Sequence, residues 1–159
     1  MSEGNDRAAV RVPPPLVTVL TIVLGYILGR YLPLVDGYGW PSPDRYWIGG
    51  AIVVITGAIL GAWPILIFRR TEQDPRPWTT TPEIIIEGPY KFTRNPMYLM
   101  MLFFCAGFSI ILAEAWVLAL TPVCAAIIFL TAIRHEEVYL EAKFGDSYVE
   151  YKQRVRRWI

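Results

Sequence analysis

Residues 46–68 form a run without a single charged side chain. A helix rises ~1.5 Å per residue and the hydrocarbon core of a bilayer is ~30 Å thick, so about 20 apolar residues suffice to cross it. Three further apolar runs accompany this one. The first covers residues 16–34 and is interrupted near its end by Arg30. The third covers residues 96–113 and the fourth residues 115–133, with only Glu114 between them. The last two therefore read as a tight helical hairpin whose tip carries one carboxylate. The third run is short and spans with little tilt, or leaves its first turn at the interface. A soluble domain of 159 residues carries more charge and fewer long apolar runs than this chain, in which 54% of residues are hydrophobic.

The expected fold is all-α: a single integral membrane domain over residues 1–159, a bundle of about four transmembrane helices with a cytoplasmic C-terminal helical segment. Residues 1–75 supply two N-terminal transmembrane helices. The first run follows Pro13, Pro14 and Pro15 and has no small-residue cleavage motif after it, so it reads as a span and not as a removable signal peptide.

Lysine and arginine placement orients the bundle. Arg7 and Arg11 precede the first run. Arg69, Arg70, Arg76, Lys91 and Arg94 lie between the second and third, and Arg134, Lys143, Lys152, Arg154, Arg156 and Arg157 follow the fourth. Only Arg30 and Arg45 fall on the other side. This asymmetry predicts both termini in the cytoplasm. Trp40, Trp47, Trp63, Trp78, Trp116 and Trp158 fall mostly near ends of runs, where indole rings favour the interface.

Glycines recur at four-residue spacing as Gly25 with Gly29 and Gly57 with Gly61. Such pairs let helices approach closely in lipid, within or between subunits, so the oligomeric state stays open. Pro64 and Pro122 remove backbone hydrogen bonds and are expected to kink the second and fourth helices. Cys105 and Cys124 lie inside apolar runs and read as small packing residues. With one histidine, His135, and no Cys or His partners for it, no metal site is expected.

Polar chemistry collects on the cytoplasmic side. Residues 83–87 look like a short extended stretch. Gly88, Pro89 and Tyr90 then force a turn, since glycine tolerates unusual dihedrals and proline fixes its own. Pro96 suits the first turn of the third helix, and Asn95 is a natural N-cap. The free N–H groups of that first turn, with Arg94 beside them, suit a carboxylate or phosphate; an ordinary capped helix with an interfacial arginine explains the same residues. Past the fourth run, Glu136 and Glu137 point about 100° apart on a helix. One is expected to face the bundle and the other water. They serve either as a solvated, ion-paired face or as a site for a cationic or hydroxyl-rich ligand. That helix should continue to Phe144 and stop near Gly145, with Asp146 capping a last helix. Leu140, Phe144, Tyr148, Tyr151, Val155 and Trp158 form its amphipathic stripe, lying on the anionic leaflet or against the cytoplasmic loop.

The stretch Gly88-Pro89-Tyr90-Lys91-Phe92-Thr93-Arg94-Asn95-Pro96-Met97-Tyr98 closely resembles the signature of the isoprenylcysteine carboxyl methyltransferase and phospholipid methyltransferase superfamily. About forty residues later, Glu136-Glu137, Leu140, Phe144-Gly145, Tyr148, Tyr151 and Val155-Arg156-Arg157-Trp158-Ile159 match the second half of that pattern. The resemblance covers roughly residues 80–159. It implies a membrane methyltransferase that uses S-adenosylmethionine, held in a cytoplasmic pocket made by the last helices and the C-terminal segment. Carried onto matching positions, Gly88, Tyr90, Arg94, Asn95, Pro96, Tyr98, Glu136 and Glu137 become the cofactor-binding candidates, with Arg94 and Glu137 as catalytic candidates. Two positions depart from the pattern: many members have His at position 95 and Gly at position 100, where this chain has Asn95 and Met100. There is no Gly-x-Gly-x-x-Gly loop for a Rossmann-type site.

The expected acceptor is lipophilic, a carboxylate or an amine on a small molecule or lipid taken from the surrounding membrane, and no nucleic-acid partner is expected. The alternative is a non-catalytic membrane scaffold that keeps the fold. A transporter fits poorly, because no span carries a charge at its centre, where substrate paths usually have polar groups.

Overall fold

A computed structural model describes residues 12–34, 42–74, 76 and 82–159. Among them every regular element is helical. Helix α1 spans Pro14–Tyr31. Helix α2 runs without a break over Pro43–Arg70, with a π-helical stretch at Gly57–Ala62. Helix α3 spans Pro96–Leu112. Helix α4 covers Ala115–Phe144, again with a π-helical stretch, at Phe129–Ile133. Helix α5 spans Asp146–Arg154. Three of these, α1, α2 and α4, are long and apolar enough to cross a membrane, and α3 is a shorter apolar helix of the same kind. The protein is an integral membrane protein. Of the interfacial tryptophans, Trp40 and Trp78 lie outside the described residues, as do Arg7 and Arg11.

The expected runs become helices with shifted ends. The first begins at Pro14, two residues early, because proline fits the first helical turn. The fourth continues past its apolar stretch to Phe144, as the acidic pair required. At 30 residues it is about ten longer than a bilayer needs, so its last three turns stand clear of the hydrocarbon. The chain then turns at Gly145, whose φ of +54 is easily reached only without a side chain. Gly145, not Asp146, occupies the position before α5, and no side chain caps that helix. Pro64 sits just after the π-helical stretch of α2, where the widened turn accommodates the missing hydrogen bond, and the helix continues. Pro122 lies inside the helical run Ala115–Ile128.

The hairpin α3–α4 is the centre of the bundle. α1 lies along α4 and also touches α3, while α2 lies along α3. Lipid-like interfaces supply little hydrophobic drive between helices, so close backbone approach matters. A Cβ on Gly25 would fall 2.7 Å from the Val117 Cα, so α1 and α4 are in backbone contact there. Gly29 lies against the Glu114 carboxylate. Gly49 and Gly107 form a second close crossing, between α2 and α3, that the four-residue glycine spacing did not single out. Cys105, Val117, Cys124, Ile128 and Ile133 are buried in the core between them. Leu20, Leu24, Val54, Ile55, Val123 and Leu130 are exposed on the outer faces, where lipid covers them. The buried Thr18 and Thr21 hydroxyls donate to carbonyls one turn back on α1, so neither is left unsatisfied.

Gly25→Ala is expected to force α1 off α4 and lower stability by about 1–3 kcal/mol. Gly50→Ala, where a Cβ meets nothing within 4 Å, should leave stability unchanged or raise it. Thermal melts of the two variants in detergent check the contrast.

Candidate active site

The site is assembled where the C-terminus folds back onto the beginning of α3. After the short 3-10 turn Gly88–Lys91, residues 93–95 grip the C-terminal strand-like tail. The Arg94 amide donates to the Arg156 carbonyl at 3.0 Å. The Thr93 hydroxyl and the Asn95 side-chain amide both donate to the Arg157 carbonyl, each at 3.1 Å. The Tyr151 hydroxyl donates to the Tyr90 carbonyl at 2.8 Å. Asn95 thus stands at the N-cap position of α3 but does not cap it; its amide is turned to the tail instead. The amphipathic stripe of α5 is decided the same way. Tyr148, Tyr151 and Val155 are buried with Ile84, Leu140 and Phe144 packed on them, so the stripe faces the loop before α3 and the end of α4.

This folding back encloses a partly open cleft of about 120 Å³. Its floor is Pro96, Met97 and Tyr98 of α3. One wall is Glu136, Glu137, Tyr139 and Leu140 of α4, and another is Tyr148 and Tyr151 of α5. Phe68 from the end of α2 and residues 83–85 of the loop close the remaining side. Of the eight residues singled out from the sequence, Tyr90, Arg94, Asn95, Pro96, Tyr98, Glu136 and Glu137 line the cleft. Gly88 does not. It adopts a φ of +57 and packs under α2, where a Cβ would meet Ile67 at 2.7 Å. His135 also stays off the cleft.

Both glutamates face the cleft, contrary to the expectation that one would face water. The reason is that protein surrounds the end of α4 on two sides. On one side the Tyr98 hydroxyl of α3 donates to Glu136 Oε1. On the other, Arg157 of the tail holds Glu137 with two hydrogen bonds, Nε to Oε1 at 2.9 Å and Nη2 to Oε2 at 2.8 Å. Arg157 also lies over the Phe129 ring, 4.9 Å from its centroid.

Arg94 is treated differently. Its side chain is only 10% exposed, and Nη1 lies 3.2 Å from Glu137 Oε1. Yet the Nε and Nη1 groups are buried without a hydrogen-bond partner among the described residues. Buried donors of this kind are costly unless something accepts from them. The cleft therefore holds one guanidinium with unspent donors, one carboxylate tied down at both oxygens, and one carboxylate capped by a phenol. Burial pushes the Glu136 carboxyl up to about 7; the hydrogen bond from Tyr98 pulls it down and the charge of Glu137 adds to the rise. Among the described residues no cluster could hold a metal ion.

The phospholipid methyltransferase family model matches residues 45–147, from the start of α2 to the start of α5. The chain belongs to this family. It is 34% identical over 124 residues to protein-S-isoprenylcysteine O-methyltransferase B of Arabidopsis thaliana, a match that covers 70% of this chain and 59% of that protein. It is also 40% identical over 70 residues to an uncharacterized protein of Haemophilus influenzae, covering 40% of this chain and 100% of that protein. The family lies within the superfamily that the chain's two motifs resemble. The family match takes in α2 as well, which the motifs alone left out.

The departure from the family pattern at Met100 has a structural counterpart. The Met100 side chain lies on Gly61 of α2, where a Cβ would come within 2.4 Å of Sδ. The larger residue on α3 is thus accommodated by the missing side chain on α2. Tyr148, Tyr151 and the loop residues Ile84 and Ile85 also line the cleft but were read from the sequence only as a packing stripe and an extended stretch.

The raised value of Glu136 makes the fold pH-dependent. Its folded value lies above its ordinary 4.5. The stabilisation from its proton is therefore complete below pH 4.5 and is lost as pH rises through about 7. The rise from 4.5 to about 7 corresponds to roughly 3 kcal/mol. Glu136→Gln, which stays neutral, should flatten the pH dependence of stability across that window by an amount of this order. Chemical unfolding in detergent at a series of pH values checks it.

Proposed function

We propose that the protein transfers a methyl group from S-adenosylmethionine, bound in this cytoplasmic cleft, to a lipophilic acceptor reached from the bilayer. The observation that carries the reading is Arg94: a guanidinium nine-tenths buried, with donors left over, in a cleft that also presents two carboxylates. The donor molecule has the complementary groups, a carboxylate, an amino group, a sulfonium and ribose hydroxyls. When bound it supplies the methyl group on that sulfonium.

The chain's own residues do the rest. Arg94 and the first-turn N–H groups of α3 bind the carboxylate. Glu137, fixed in place by Arg157, accepts from the amino group or a ribose hydroxyl through its remaining lone pairs. Glu136 faces the positive end of the ligand, and Tyr90 and Tyr98 offer aromatic surface to adenine or sulfonium. Transfer to an acceptor that is already nucleophilic needs little acid–base chemistry, so positioning supplies most of the rate. Gly88 takes a structural part and not a binding one, since it packs on Trp63 and Ile67.

The acceptor is a carboxylate or an amine attached to an apolar body. The Arabidopsis relative's name supports a prenyl-linked carboxylate, and the family's name supports a lipid head group. Phe68, Ile84, Ile85 and Leu140 give the cleft an apolar side suited to such a body. The termini lie on the cytoplasmic side, where the basic residues concentrate, and the whole chain acts as one domain.

Calorimetry on the purified protein should show S-adenosylmethionine binding that weakens at least tenfold in Arg94→Ala and in Glu137→Ala. Absence of binding by a demonstrably folded wild-type protein would leave a membrane scaffold as the better description.

A further inference from the structure

Arg157 does not line the cleft, yet the arrangement inside depends on it. Glu137 has two guanidinium groups within reach. Arg157 takes both of its oxygens in a fork at 2.9 and 2.8 Å. Arg94 lies 3.2 Å from one of the same oxygens but makes no hydrogen bond through Nη1. The Arg157 side chain is 39% exposed and that of Arg94 only 10%. The outer cation therefore takes the carboxylate's hydrogen bonds, and the inner one keeps only an ion-pair contact with it, with its Nε and Nη1 donors unused. The Arg157 backbone is fixed independently, by the Thr93 hydroxyl and the Asn95 amide on its carbonyl. Its side chain is further held over Phe129. Four basic residues lie along 152–157, but only this one reaches Glu137.

We propose that Arg157 is a positioning residue for ligand selection: by taking both oxygens of Glu137 in a hydrogen-bonded fork it limits the Arg94–Glu137 ion pair to one 3.2 Å contact without a hydrogen bond, and so leaves guanidinium donors of Arg94 for the carboxylate of the methyl donor. The proposal rests on the S-adenosylmethionine reading above. A planar fork is needed for the two-point grip, which a lysine ammonium does not reproduce. Without Arg157, the nearest cation to Glu137 is Arg94. Its donors then go to Glu137, and the cleft no longer distinguishes a ligand that has a carboxylate from one that lacks it.

The experiment measures the affinity of the full-length protein in detergent for S-adenosylmethionine and for decarboxylated S-adenosylmethionine, which keeps the sulfonium and amine. The readout is the ratio of the two dissociation constants, which a partly unfolded sample leaves unchanged because both ligands lose the same fraction of sites. In the wild type the ratio should favour the carboxylate by roughly 30-fold or more. In Arg157→Ala it should fall to within a few-fold of unity, and in Arg157→Lys to an intermediate value. In the double variant Arg157→Ala with Glu137→Gln it should return toward the wild-type ratio, because the neutral amide no longer captures Arg94. A merely structural role for Arg157 predicts no such rescue. An unchanged ratio in Arg157→Ala, or no recovery in the double variant, overturns the proposal while leaving the cofactor reading intact. A wild-type protein that binds neither ligand overturns both. A wild type that binds the two ligands equally overturns the role of Arg94 and this inference with it.

Discussion

The polar half of this protein hangs on two backbone carbonyls. Those of Arg156 and Arg157 are gripped by the amide of Arg94, the hydroxyl of Thr93 and the side-chain amide of Asn95. These bonds join residues about sixty positions apart and hold the tail against the start of α3. Once the tail is there, Arg157 reaches Glu137 and Trp158 packs on the membrane core. α5 is drawn over the loop, and the end of α4 becomes enclosed on both flanks. Without the clasp, Glu136 and Glu137 would stand on a helix projecting into water, where surface ion pairs contribute little.

The membrane half provides the rigid base. The backbone contacts of α1 with α4 at Gly25 and of α2 with α3 at Gly107 fix the hairpin from which both sides of the cleft project. α3 contributes its first turn and α4 its last three. The cleft therefore lies at one end of the apolar hairpin, with Phe68 of α2 beside it and Asp74, Arg76 and Glu83 joining Arg94 and the glutamates among its charged lining. Such a placement lets a polar donor and an apolar acceptor meet without either crossing the bilayer, which is what the proposed methyl transfer requires.

Much of this was legible in the sequence. Run length and the scarcity of charge placed the spans, because hydrocarbon imposes one length on every crossing helix. Seven of the eight residues chosen from the motif around Arg94 and the glutamate pair line one cleft. What failed depended on contacts distant in the chain. Asn95 has the composition of an N-cap, but a tail carbonyl competes for its amide. Glu136 and Glu137 diverge on the helix, yet protein lies on both sides of it. Arg157 is one of several similar cations near the C-terminus, and only the docking of the tail separates it from Arg154 and Arg156. Gly49 and Gly107 belong to different helices, so no spacing within one helix reveals their crossing.

Hydrogen–deuterium exchange, followed by mass spectrometry on the protein in detergent micelles with and without S-adenosylmethionine, tests the central claim most directly. The account predicts that the ligand slows exchange together in residues 90–98, 134–140 and 148–158, because one clasped unit binds it, and leaves α1 unchanged. No slowing in any of the three segments, or slowing confined to α1 and α2, would contradict it.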